Sequence, residues 1–172
     1  MNIYLIGFMG SGKTSVGTKL SGRLKRKFID LDVFIESGEG KSISTIFKES
    51  GEEQFRSMEA GYLRETGGLD NHIIACGGGT PCWGDNMEFM KLNGYTIYLQ
   101  MTPAALYSRL KTSMDSRPLI SGMKSEELIR YIEMKVDERR WWYEQAHYTT
   151  DGLDVDIDQI VTAILNQESG IL

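Results

Sequence analysis

Near the amino terminus, Gly7-Phe8-Met9-Gly10-Ser11-Gly12-Lys13-Thr14 has the spacing G-x-x-x-x-G-K-[ST], which is suited to holding phosphate. Glycines let successive backbone N–H groups converge on phosphate oxygens, and a helix starting near Lys13 adds its positive end. The ammonium then reaches the β- and γ-phosphates, and Thr14 offers a hydroxyl to Mg2+. An ordinary glycine turn before a helix is the bland alternative, but it accounts for neither the Lys-Thr pair nor the strand-like run ahead of it. Asp30 and Asp32 stand two apart at the end of a second apolar run. Strand periodicity places both carboxylates on one face, where one can serve Mg2+ through water and the other can receive a hydroxyl proton. A solvated strand end or a helix N-cap competes with that reading. Gly77-Gly78-Gly79 closes a β-rich run, so its backbone can approach a ligand closely; a flexible turn is the alternative. Arg139 falls on a helical stripe with Leu128, Ile132, Val136 and Tyr143, and Arg140 falls at its edge. A guanidinium on an inward stripe needs an anion, either a structural carboxylate or a ligand. Arg56 precedes Glu59 by three residues, which allows a local ion pair, yet two arginines from different helices can also clamp a carboxylate.

These groups require a scaffold that gathers strand ends. Ile3–Ile6 reads as a strand, followed by a loop and a helix from Lys13 past Leu24; 28–32 reads as a second strand ending in acids. Ser37-Gly38-Glu39-Gly40 reads as a turn. Ser42 or Ser44 caps a helix running to Ser50-Gly51, and a longer helix covers 52–65. Strands at 72–76, 95–99 and 148–150 alternate with helices at 85–92, from Pro103, at 125–145 and at 156–167. The expected fold is α/β: three layers, with a five-stranded parallel sheet flanked by helices in one domain spanning 1–172. The segment from Thr112 to Lys124, long, polar and irregular, predicts a mobile lid, and Arg117 is expected to project from it because the residue before a proline favours extended geometry.

Composition narrows the function. The chain has 172 residues, 41% of them apolar, and 19 Lys+Arg against 24 Asp+Glu give a net charge of −5. That balance argues against a general nucleic-acid binder. Apolar runs are strand-sized, below the roughly 18 residues a membrane span needs, and Met1 leads into apolar residues without a basic segment, so a soluble, untargeted chain is expected. Two cysteines, Cys76 and Cys82, form neither a metal pattern nor a disulfide framework, which points to a reducing, cytoplasmic setting. No N-K-x-D tetrapeptide of the guanine-reading kind is present, and small size with a lid favours a kinase of small molecules.

Six motifs in order carry a resemblance that covers nearly the whole chain: the phosphate loop, Phe28-x-Asp30-x-Asp32, Phe55-Arg56-x-x-Glu59, Gly77-Gly78-Gly79, Arg117-Pro118-Leu119 and Arg139-x-x-x-Tyr143. Together they resemble the shikimate kinases. The resemblance implies a nucleoside-monophosphate-kinase-like P-loop fold and transfer of the ATP γ-phosphoryl group to the 3-hydroxyl of shikimate, in chorismate and aromatic amino-acid synthesis. By it, Lys13, Asp32 and Arg117 are catalytic, and Gly10, Ser11, Gly12, Lys13, Thr14, Ser15 and Arg117 bind the nucleotide. Asp32, Arg56, Gly78 and Arg139 bind shikimate, Thr14 and Asp30 serve Mg2+, and Phe47 and Phe55 line the substrate pocket. With the chain's size it favours a monomer, and the charge balance and short apolar runs leave no nucleic-acid or membrane partner expected. Cys76 and the bulky Thr80-Pro81-Cys82-Trp83 depart from the commoner family pattern, and Arg109 and Lys111 both stand near the expected adenine-side position. A gluconate-kinase-like enzyme and a nucleotide-binding regulatory protein are the competing readings.

Overall fold

Five residues of β1 (Asn2–Ile6) are completely buried, and their alternation divides the molecule into layers. Ile3 and Leu5 pack with Val16 and Leu20 of α1 (Lys13–Leu24) and with Ile160 and Ile164 of α7 (Ile157–Glu168). Tyr4 and Ile6 point the other way, into a core built with α2 (Leu31–Glu39), α3 (Ile43–Thr66), α4 (Asn86–Asn93) and α6 (Ser125–Tyr143). A strand buried on both faces suits a parallel sheet covered by helices. The computed structural model describes residues 1–112 and 119–170.

The sheet is completed by β2 (Lys27–Asp30), β3 (His72–Ala75), β4 (Gly94–Gln100) and β5 (Tyr148–Asp151), in the order β2-β3-β1-β4-β5 with every pairing parallel. The loops leaving β1, β2 and β3 therefore emerge side by side at the carboxyl edge, where open α/β sheets bind ligands. A third cluster joins Phe8 of the phosphate loop to Leu106 and Leu110 of α5 (Pro103–Leu110), Ile120, and Leu128 and Ile132 of α6. It ties the loop to the helices beyond β4.

Two local expectations change. The run 28–32 is not strand throughout: β2 stops at Asp30, and Leu31 starts α2. Leu31 and Ile35, four apart and both fully buried, show that helical spacing already begins at Leu31. The expected turn at 37–40 is the end of this helix, closed by Gly40 in a left-handed conformation (φ 65°). The two helices read on either side of Gly51 abut directly, with Gly51 (φ 78°, ψ 173°) as the break between them, and Ser42 caps the first by accepting from the Thr45 N–H. The expected lid, 112–124, falls partly outside the described residues. Of the described part, Ile120 is fully buried and Leu119 lines a cavity.

Gly94 begins β4 opposite Asn2, and a Cβ there would stand 2.4 Å from the Asn2 carbonyl oxygen. Neither backbone can yield without parting the central strands. Gly94→Ala should therefore lower stability by about 1–3 kcal/mol, the usual cost of overpacking. Urea unfolding would show a lower midpoint at unchanged slope; an unmoved midpoint would mean the strands separate freely here.

Candidate active site

The phosphate loop takes its shape from three left-handed glycines, Gly7 (φ 139°), Gly10 (φ 79°) and Gly12 (φ 97°), a conformation costly for other residues. Lys13 turns back into the loop, its Nζ donating to the carbonyls of Gly7 (2.8 Å) and Phe8 (2.9 Å) and to Ser11 Oγ (3.4 Å). Arg109 crosses behind the loop, donating to the Gly10 and Ser11 carbonyls and, through Nη2, to the Gly152 carbonyl. Lys111 instead stands 6.0 Å from the Tyr107 ring, so Arg109 is the one held against the phosphate loop.

Asp30 and Asp32 are brought together by a helix start rather than by strand periodicity. Asp30 is the N-cap of α2, its Oδ1 accepting from the Asp32 N–H at 3.2 Å, while its Oδ2 accepts from Thr14 Oγ1 at 2.8 Å. One carboxylate thus caps a helix and pairs with the phosphate-loop hydroxyl. A hydroxyl and a carboxylate are hard oxygen donors that suit Mg2+, which keeps several waters and takes further ligands from phosphates.

Asp32 faces two adjoining cavities, each of about 320 Å³. One is lined by Gly10, Gly12, Lys13, Thr14 and Ser15; the other by Phe47, Phe55, Arg56, Glu59, Leu119 and Arg139. Met9, Asp32, Gly77 and Gly78 belong to both, so this is where the cavities join. The Asp32 residue is open to solvent on the cleft side, but its carboxyl sits low between protein walls. Burial there, then Glu59 and then Asp30, push its pKa up to about 6, with Lys13 and Arg56 pulling it down.

Arg56 and Glu59 form the local ion pair that their spacing allows, at the edge of the second cavity. Arg56 Nη1 donates to Glu59 Oε2 at 2.8 Å, and its Nη2 to Glu52 at 3.3 Å, while the guanidinium borders the second cavity. Burial works against its charge, and Glu59 and Glu52 together outweigh that. Arg139 differs. Only 7% exposed, it lies 5.4 Å from the Phe8 ring centroid, forms no ion pair among the described residues, and its buried Nη1 has no hydrogen-bond partner. An unsatisfied buried guanidinium nitrogen at a cavity wall is an anion-binding group. Arg140, its neighbour, is exposed and pairs with Asp137 at 3.0 Å, as the edge position implies.

The glycine triplet is required for space, not for turn conformation. A Cβ on Gly77 would begin 2.6 Å from Glu59 Oε1, one on Gly78 would begin 2.9 Å from the Met9 backbone nitrogen, and one on Gly79 would begin 2.5 Å from Arg56 Nη2. Tyr143 fixes the middle of this loop by donating to the Gly78 carbonyl at 2.5 Å. A family model described as shikimate kinase matches residues 9–168. The chain belongs to the shikimate kinase family. A shikimate kinase of Bacteroides fragilis is 40% identical over 166 residues, covering 95% of this chain and 92% of its own. Another, of Pelotomaculum thermopropionicum, is 39% identical over 165 residues, covering 96% and 94%. The crystal structure of the Bacteroides thetaiotaomicron shikimate kinase superposes with a TM-score of 0.86 at 35% identity, over 99% of this chain and 98% of its own. The Acinetobacter baumannii shikimate kinase, solved in complex with shikimate, gives 0.84 at 33%, over 98% and 93%. A gluconokinase of Sinorhizobium meliloti, at 15% identity and a TM-score of 0.59, shares the fold.

Within this shikimate kinase fold, the structure gathers Lys13, Thr14, Asp30, Asp32, Arg56, Gly78 and Arg139 around the two cavities, with Gly10, Ser11 and Gly12 on the phosphate loop and Ser15 in the first turn of α1. Arg117 lies outside the described residues. Sequence reasoning underrated Glu59, treating it only as a local partner; a fully buried carboxylate beside the cavity is a structural member of the site. Thr80 and Asn86, also fully buried, were passed over, since isolated hydroxyl and amide residues carry no spacing signal. Cys76 packs against Met90 in the core, and burial pushes its thiol pKa up, so it acts as a small apolar residue.

The raised Asp32 pKa makes a stability prediction of definite sign. The folded state holds this proton more tightly than the unfolded chain, so the Asp32 contribution is most favourable below about pH 4, falls as pH rises to about 6, and is flat above. Asp32→Asn should consequently be more stable than the parent chain at pH 7–8, with the gap closing towards pH 4. Urea midpoints across that range decide it; a variant destabilised at neutral pH would show that the charge is favourably held.

Proposed function

We propose that this chain transfers the γ-phosphoryl group of ATP to the 3-hydroxyl of shikimate, forming shikimate 3-phosphate and ADP. The observation that carries this reading is the position of Asp32 at the join of two cavities, one walled by a phosphate loop and the other by two guanidinium groups. Phe47 and Phe55, with ring centroids 4.5 Å apart, add an apolar wall suited to a carbon ring, while Arg56 and Arg139 take its carboxylate. Asp32 receives the proton of the attacking hydroxyl, and Lys13 stabilises charge on the β- and γ-phosphates as transfer proceeds. Thr14 and Asp30 hold Mg2+, which when bound neutralises phosphate charge. Arg117 is assigned to the phosphates from its motif, whose Leu119 reaches the acceptor cavity. The reading also makes the protein a cytoplasmic monomer without nucleic-acid or membrane partners; no described helix is long and apolar enough to cross a membrane.

An ADP-release assay with shikimate, gluconate and quinate in parallel tests the assignment, and turnover confined to shikimate is expected. A preference for gluconate, or ATP binding with no acceptor turned over, would replace it. In the same assay Asp32→Asn should lower kcat by about 10²-fold or more, the scale of general-base removal. An effect on KM alone would leave Asp32 as a binding group.

Arg139→Ala and Arg140→Ala separate neighbouring charges on α6. Losing a charged hydrogen bond to the substrate carboxylate should raise KM for shikimate by about tenfold or more in the first. The exposed Arg140 should be dispensable, and an equal or larger effect there would overturn the orientation of α6 in the site.

A further inference from the structure

Immediately after the glycine triplet, Thr80-Pro81-Cys82 forms a short 3-10 turn, and its first residue is wired to the wall of the acceptor cavity from behind. Thr80 Oγ1 donates to Glu59 Oε1 at 2.6 Å, and Glu59 Oε2 accepts from Arg56 Nη1 at 2.8 Å. Both Thr80 and Glu59 are fully buried, so neither exchanges its partner for water. A second contact holds Thr80 itself: Asn86 Nδ2 donates to the Thr80 carbonyl at 2.8 Å, and Asn86 Oδ1 accepts from Arg64 at 2.9 Å. Arg64 also pairs with Asp85. The turn is thus pinned to α3 at Glu59 and, through Asn86, at Arg64, and Glu59 lines the cavity together with Arg56.

We propose that Thr80 is a positioning residue for the acceptor substrate: its hydroxyl holds Glu59, which aims the Arg56 guanidinium at the substrate carboxylate. The proposal rests on the reading of Arg56 as a shikimate-binding group. Geometry makes the role specific. Glu59 Oε1, Thr80 Oγ1 and Asp32 Oδ1 all lie within 3.3 Å of the point where a side chain on Gly77 would begin. Only the Thr80 hydroxyl among these three side chains brings a proton, and it is spent on Glu59. Without that donor, a buried carboxylate oxygen loses its partner, and the Glu59 side chain gains freedom to leave the orientation that aligns Arg56. Thr80 lines neither cavity, but Glu59 and Arg56, through which it acts, line the acceptor cavity and not the phosphate loop cavity, so the effect belongs to the acceptor and not to the nucleotide.

Steady-state kinetics with shikimate and ATP varied separately test this in Thr80→Val, Thr80→Ala and Thr80→Ser. Valine keeps shape without the donor, alanine keeps neither, and serine restores the donor. The two donor-free variants should raise KM for shikimate by about tenfold, the scale of an unsatisfied charged hydrogen bond, with KM for ATP and kcat little changed. Thr80→Ser should return KM towards the parent value, which a purely structural role for the methyl group would not produce. If the valine variant does not fold, the alanine variant carries the same expectation. Unmoved shikimate KM in the donor-free variants, a parallel rise in KM for ATP, or a serine variant as impaired as valine would each overturn the proposal. Arg56→Lys serves as the reference. If it raises KM for shikimate while Thr80→Val does not, Thr80 alone is dismissed; if neither does, the assignment of Arg56 is wrong.

Discussion

As their neighbours stand, residues 77, 78 and 79 leave no room for a side chain, and the site depends on that crowding. Each missing Cβ makes room for a different component: Glu59, Thr80 and Asp32 around Gly77, the phosphate loop backbone beside Gly78, and the Arg56 guanidinium beside Gly79. A loop of bare backbone at the end of β3 therefore lets the phosphate loop from β1 and the acids after β2 close around it. The sheet order makes this available, because β3 lies between β2 and β1. A side chain at any of the three positions would displace one of these neighbours, and a misplacement of about 1 Å can cost about 10²-fold in rate.

Electrostatics within this crowded space follow from what each ion can find. Asp30, Asp32 and Glu59 stand near Lys13, Arg56 and Arg139 in a chain of net charge −5. Most of these charges are paired inside the protein: Asp30 with the Thr14 hydroxyl, Glu59 with Arg56 and Thr80, and Lys13 with its own loop. Arg139 has an unsatisfied nitrogen, and Asp32 has a raised pKa because burial disfavours its charge and the carboxylates of Glu59 and Asp30 add to that against the pull of Lys13 and Arg56. Strain of this kind concentrates where ligands complete the arrangement, a trade of stability for activity that binding sites commonly show.

Rigidity around the site comes from apolar packing. Phe8 anchors the phosphate loop in the cluster formed by α5, Ile120 and α6, and Tyr143 of α6 holds the Gly78 carbonyl. One helix consequently sets the Arg139 guanidinium, the glycine loop and, through Phe8, the phosphate loop. Ile120, among the described residues of the segment read as a lid, is fully buried in the same cluster.

Much of this was legible before the fold was known. The phosphate loop declares itself because its chemistry needs fixed residues at fixed spacing in consecutive chain, and the alternation of strands and helices follows from local periodicity. The inward place of Arg139 was readable from the α6 stripe for the same reason. The relation between Asp30 and Asp32 was not: both a strand end and a helix start put two acids near a cleft, and only the burial of Leu31 with Ile35 shows that the helix wins. Nor could spacing say that Glu59 is fully buried, that Gly77 to Gly79 are small for want of room, or that Thr80 reaches across to α3. The sequence by itself determined the local chemistry and the elements, because those depend on neighbours along the chain. Only the tertiary structure decided which side chains share a cavity and which lack partners, because burial and satisfaction depend on atoms far apart in sequence.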